Sequence, residues 1–234
     1  MRVITSLLFA VALVLGASIS AQAAIDIQPG DYIYITDGPG GSGGVFNIQE
    51  TNNLTHTSFS GDIFPTFCVE LSEHITLPNA YYVENLSNVA DQTGNTLTVL
   101  AGSIYAEFLA GTLPNMPLPA ATFATKTTFN NSVQVAIWRQ VIPAASLASL
   151  VGAVGGDYNP VWYAAINGIA LNPLNGVQIM NLRGSSNVHA SYNQDLLVRN
   201  TPPETNVPEA AAMMTWGLIM ISAGFGSRRV RTVA

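Results

Sequence analysis

The chain has 234 residues, 48% of them hydrophobic and only 9% charged, with a formal net charge of −6. That length holds one sizeable core or two small ones, and between Ala24 and Pro208 the 13 acidic residues outnumber Lys126, Arg139, Arg183 and Arg199 to leave a net of −9. A nucleic-acid partner is excluded, because there is no basic stripe and no interleaving of aromatics with Lys or Arg. One cysteine, Cys68, and the scattered His56, His74 and His189 exclude an internal disulfide and a metal cluster, so neither metal nor cofactor is expected.

Residues 1–23 predict a signal peptide. Arg2 precedes an apolar run from Val3 to Ala17, and the small-residue site Ala21-Gln22-Ala23 places cleavage after Ala23. The run falls short of the ~20 residues that span a bilayer. In the first third of the mature chain, Asp31–Thr36 and Val45–Gln49 alternate as strands do and enclose a Gly-rich turn, which predicts a hairpin. Gly38, Gly40 and Gly43 satisfy G-x-G-x-x-G, yet a strand follows them where a dinucleotide site needs a helix. Further strands are expected at Phe64–Leu71 and Ala80–Leu86.

Helical spacing then takes over. Leu97, Leu100, Ile104, Phe108 and Leu109 predict one helix, capped by Asn95 or Thr96 and ended by Gly111. Three prolines between Leu113 and Ala121 predict a loop. A second helix is expected over Asn130–Val141, with Asn131 or Ser132 as N-cap and Val133, Ala136 and Ile137 inward. Asn159-Pro160 opens a third with Trp162, Ile166 and Ile169 inward. Strand character returns in Val177–Met180 and Asp195–Val198. The order of elements predicts an α+β domain over residues 24–200, an antiparallel β-sandwich or barrel with a helical insertion.

Residues 201–209, Thr-Pro-Pro-Glu-Thr-Asn-Val-Pro-Glu, read as an extended Pro-rich spacer. Ala210–Ser227 then carries no charge and is followed by Arg228, Arg229 and Arg231, which the positive-inside rule keeps cytoplasmic. Val207-Pro208-Glu209, the apolar span with Gly217-Leu218 and the Arg cluster resemble the PEP-CTERM sorting signal of bacteria that make extracellular polysaccharide, with Ala210 where that family has Pro. The resemblance implies that residues 210–234 form a hydrophobic transmembrane helix and Arg tail, holding the chain in the membrane until an exosortase-type protease removes them.

A lone cysteine in an exported chain stays reduced, pairs with another chain, or reacts otherwise. Phe67-Cys68-Val69-Glu70 lies on a predicted strand, and Gln134-Val135-Ala136-Ile137-Trp138 opens a predicted helix. This pair resembles the thioester domains of bacterial surface adhesins, with Val133 where that family has Thr. The helix Ala101–Leu109 resembles the one between the two halves in related exported proteins. The resemblance implies that Cys68 Sγ attacks the Gln134 carboxamide, expels ammonia and leaves a latent electrophile for a surface or matrix nucleophile. That chemistry needs a held thiol, a fixed approach and a donor for the developing oxyanion.

Plainer readings stand beside it: Cys68 as a small core hydrophobe, Gln134 facing solvent near a helix start, and Trp138 as a core anchor. A Cys–His peptidase lacks a histidine in catalytic context; His74, six residues past Cys68, reads as a strand-end surface residue. Glu70 and Glu73 suggest paired glycosidase carboxylates but read better as solvated residues after the Cys68 strand. The chain is therefore expected to be an exported cell-surface or biofilm-matrix adhesion protein, not an enzyme, with a non-reactive structural matrix protein as the alternative.

Overall fold

Ile33 and Ile35 on one strand and Phe46 and Ile48 on the next are buried, with less buried residues between them. That period of two commits the first third of the chain to a sheet with one face in the core. The computed structural model describes residues 26–39, 44–53, 55, 58–71, 75–173, 176–184 and 193–200. The expected signal peptide, spacer and sorting segment lie outside the described residues, as do Glu73, His56, His74 and His189. Among the described residues no helix is long and apolar enough to cross a membrane.

The domain is α+β. Strands β1 (Tyr32–Asp37), β2 (Phe46–Thr51), β3 (Phe59–Thr66), β4 (Asn79–Ser87), β5 (Val177–Arg183) and β6 (Leu196–Arg199) form one antiparallel sheet in the order β3-β2-β1-β4-β5-β6. Helices α1 (Val99–Ala110), α2 (Phe123–Val141), α3 (Leu147–Ala153) and α4 (Pro160–Asn167) are inserted between β4 and β5. The β1–β2 hairpin sets Asp37 opposite Phe46. At its turn a Cβ on Gly38 would stand 2.7 Å from both Val45 Cγ1 and the Val45 carbonyl oxygen, so no side chain is admitted there.

The two edges of the sheet meet at one point. After Thr66 the chain leaves β3, and Cys68 makes an isolated antiparallel bridge to Leu196 of β6. Leu197 N–H donates to the Phe67 carbonyl and Val69 N–H to the Asp195 carbonyl, each at 3.0 Å. The strand expected over Phe64–Leu71 is thus corrected: β3 stops at Thr66, and the Cys68 segment links opposite edges. Pro65 is tolerated because β3 is an edge strand. Phe67 turns inward, packing edge-on against Phe108 at 4.8 Å and Tyr105 at 6.3 Å between ring centroids.

Helix boundaries shift as well. Thr98, not Asn95 or Thr96, caps α1 by accepting from Ala101 N–H at 3.2 Å, and Gly111 ends it in the left-handed region at φ 72° as expected. The second helix starts at Phe123 behind Thr122, well before Asn130. Asn130, Asn131 and Ser132 have the composition of a cap but lie in its interior. Asn130 Nδ2 donates to the Pro39 carbonyl at 2.5 Å, and Ser132 Oγ donates to the Thr128 carbonyl at 2.7 Å while accepting from Asn159 N–H at 2.9 Å. Every residue from Phe129 to Trp138 is buried. The first turns, residues 123–128, are exposed or half-buried and rich in threonine, so no apolar stripe marks the true start.

Asn159 caps α4 with Pro160 in its first turn, Ile166 is buried, and Trp162 packs edge-on against Phe129 at 5.7 Å. Ile169 lies past the helix end, partly buried against the core. Short α3 was not among the expected elements; at seven residues it is below the length at which periodicity tells helix from loop.

Candidate functional site

Cys68 and Gln134, 66 residues apart in the chain, are in contact and wholly buried. The antiparallel bridge explains half of the arrangement. Because Phe67 and Val69 supply the groups that bond β6, the N–H and C=O of Cys68 point the other way, toward α2. Left alone there they would be orphaned polar groups in the core. The Gln134 carboxamide meets both: Cys68 N–H donates to Oε1 at 3.1 Å, and Nε2 donates to the Cys68 carbonyl at 2.8 Å. The side chain substitutes for a neighbouring strand, having one acceptor and one donor at peptide spacing.

This docking also fixes the sulfur. Sγ lies 3.4 Å from Gln134 Oε1, so the thiol abuts the carboxamide. The Cys68 N–H, already on Oε1, stands where an oxyanion would develop. Gln134 is eleven residues into α2, which corrects the expectation of a helix-start position and of a solvent-facing side chain. Ala136 and Ile137 are buried beside it, and Trp138, one turn on, is nearly so.

Burial is the dominant influence on the thiol and raises its pKa far above the ordinary range. The backbone N–H lowers it, the Trp138 indole lowers it less, and the nearby Glu70 charge raises it. Trp138 Nε1 makes no hydrogen bond within normal limits, so its effect on the sulfur is that of an N–H dipole at longer range. Unreacted, the group is a protonated, water-excluded thiol.

Glu70 overturns the reading as a solvated residue, being completely buried. Its Oε1 accepts from Thr93 Oγ1 at 2.8 Å and Thr93 N–H at 3.2 Å, and its Oε2 from Asp195 N–H at 3.3 Å. These donors offset its desolvation. Asp195, also buried, accepts from Asp91 N–H at 2.9 Å and Leu182 N–H at 3.1 Å. Desolvation first, then the charges of Glu70 and Asp91, push its carboxyl up to about 7, against the pull of those two N–H groups. Gln194 Nε2 donates to the Glu70 carbonyl at 2.9 Å, and Arg183 pairs with Asp91 at 2.8 Å and with Glu84.

Thr93, Gln194 and Asp195 thus belong to the surroundings of the site although sequence reasoning did not select them. The one available signal was a carboxylate, Asp195, opening an otherwise apolar strand. Among the described residues no group of three His, Cys, Asp or Glu is arranged to hold a metal. Comparison with protein-family models, with curated proteins and with solved structures returned no match.

Proposed function

We propose that this chain is an exported cell-surface or biofilm-matrix protein whose domain adheres covalently through an internal Cys68–Gln134 thioester. The observation that supports it is the pairing of Sγ and Oε1 at 3.4 Å with the Cys68 N–H on that same oxygen. In bond formation Sγ adds to Gln134 Cδ, the C–N bond breaks, and Nε2 leaves as ammonia carrying the thiol proton. Fixed juxtaposition is the main driving factor, since effective molarities of well-oriented groups reach ~10⁵ M or more. Burial then protects the thioester from hydrolysis until a surface or matrix nucleophile reaches it. Each domain acylates once, so it acts as a reagent and not as an enzyme.

Residues 1–23 direct export in this reading. Residues 201–234 supply spacer and PEP-CTERM-type sorting segment, with Val207, Pro208 and Glu209 read by an exosortase-type protease and Arg228, Arg229 and Arg231 held on the cytoplasmic side. The segment anchors the chain in the membrane until it is processed.

A second reading, a non-reactive structural matrix protein on the same fold, is favoured by a different feature of the contact. Gln134 already satisfies both backbone groups of Cys68, which is sufficient reason for a buried glutamine. Intact mass separates the two. A thioester makes the purified protein lighter by one ammonia, methylamine then adds at Gln134 and releases a titratable Cys68 thiol, and Cys68→Ala lacks both the deficit and the adduct. Full mass with no methylamine adduct leaves the structural reading standing.

A further inference from the structure

Neither Cys68 nor Gln134 lines a cavity of ≈ 340 Å³ that opens between the β1–β2 hairpin, β3, α1 and the N-terminal half of α2. Its size lies at the lower end of the about 300–1,000 Å³ found for small-molecule sites. Phe108, Met116, Pro117 and Phe129 make its walls largely apolar, and Lys126 and Asn130 bring polar groups to it. Leu118 and Phe123, 75% and 68% exposed, lie within a few residues of that lining.

Lys126 is the chain's only lysine. Its Nζ donates to the Pro119 carbonyl at 2.7 Å, and among the described residues no carboxylate stands within ion-pair distance of it. An ammonium has three donors, so one bond to a carbonyl leaves its charge uncompensated. The domain's overall negative charge opposes anions at long range, but that field is screened beyond about 8–10 Å in physiological salt. Close to Lys126 the local cation decides.

We propose that this cavity binds a small apolar carboxylate, its hydrocarbon body against Phe108, Met116 and Phe129 and its carboxylate on Lys126 Nζ. This site does not depend on whether the thioester forms. The test uses full-length protein in mild detergent, with a detergent-only blank, titrated with 4-phenylbutyrate and with the uncharged 4-phenylbutanamide. The carboxylate should bind about fivefold or more tightly than the amide, as a charge-assisted hydrogen bond at a partly open site requires. Binding should shift the methyl NMR signal of Met116, assigned through Met116→Leu. Lys126→Met should abolish the preference and Lys126→Arg should keep it. Equal affinity for the two probes, no binding at millimolar concentration, an unmoved Met116 signal, or a preference that survives Lys126→Met would overturn the proposal.

Discussion

Gln134 holds Cys68 by both of its backbone polar groups, accepting from the N–H at 3.1 Å and donating to the carbonyl at 2.8 Å, with all four groups buried. Truncating Gln134 therefore does more than remove an acyl partner. Gln134→Ala strands two backbone groups, each costing roughly 1–3 kcal/mol when left unmet in the core. Relative to protein whose Gln134 carboxamide is intact, a loss of about 2–5 kcal/mol is expected in urea denaturation, well above the modest loss that a helix-start position implies. A loss under 1 kcal/mol would show that water replaces the carboxamide.

Reactivity of the thiol gives a second test. In native protein Cys68 should resist a thiol reagent at pH 8: without the thioester, burial keeps the thiol protonated and out of reach, and with it the sulfur is already acylated. Gln134→Ala should increase the labelling rate at least tenfold by opening the α2 side of the segment. Equal rates in wild type and variant would place the barrier elsewhere.

Asp195 sets a pH dependence. Its folded-state carboxyl is raised to about 7 from an ordinary 3.8, so between these limits the folded state holds a proton that the unfolded state has lost. Stability contributed by this group is complete below the lower limit and declines as pH rises toward 7, with a slope of at most about 1.4 kcal/mol per pH unit. Asp195→Asn keeps an acceptor for only one of the Asp91 and Leu182 N–H groups, which costs stability at every pH, and should flatten that decline. The denaturation midpoint of wild type relative to the variant should fall from pH 4 to 7 and level off above. A constant difference would mean that Asp195 does not titrate there.

The start of α2 is testable at its cap. Thr122 Oγ1 accepts from Thr125 N–H at 3.2 Å, so Thr122→Ala should cost about 1 kcal/mol. Ser132→Ala should also destabilise, for a different reason: it removes the hydroxyl that links α2 to the α4 cap through Asn159 N–H. If Thr122→Ala proves silent while hydrogen exchange protects amides only after Ser132, the helix begins where the cap-like triplet stands.

Local order was legible wherever burial is one-sided or backbone chemistry is strict. The Tyr32–Asp37 and Phe46–Thr51 hairpin shows its period of two, Gly111 and Asn159-Pro160 mark helix ends, and Cys68 and Gln134 could be paired by resemblance before any geometry was known. Three matters depended on long-range packing. The extent of α2 was hidden because its first turns, residues 123–128, are exposed or half-buried and carry no apolar stripe, while the cap-like residues 130–132 are interior residues held by remote partners. The end of β3 at Thr66 came from Phe67 seeking the aromatic core, and the link to Leu196 joins strands 128 residues apart. Glu70 looks like a surface charge by residue type, and only donors from Thr93 and Asp195, distant in sequence, make its burial tolerable. Periodicity records which face of one element meets the core; it carries no information about which remote backbone groups a buried side chain must satisfy.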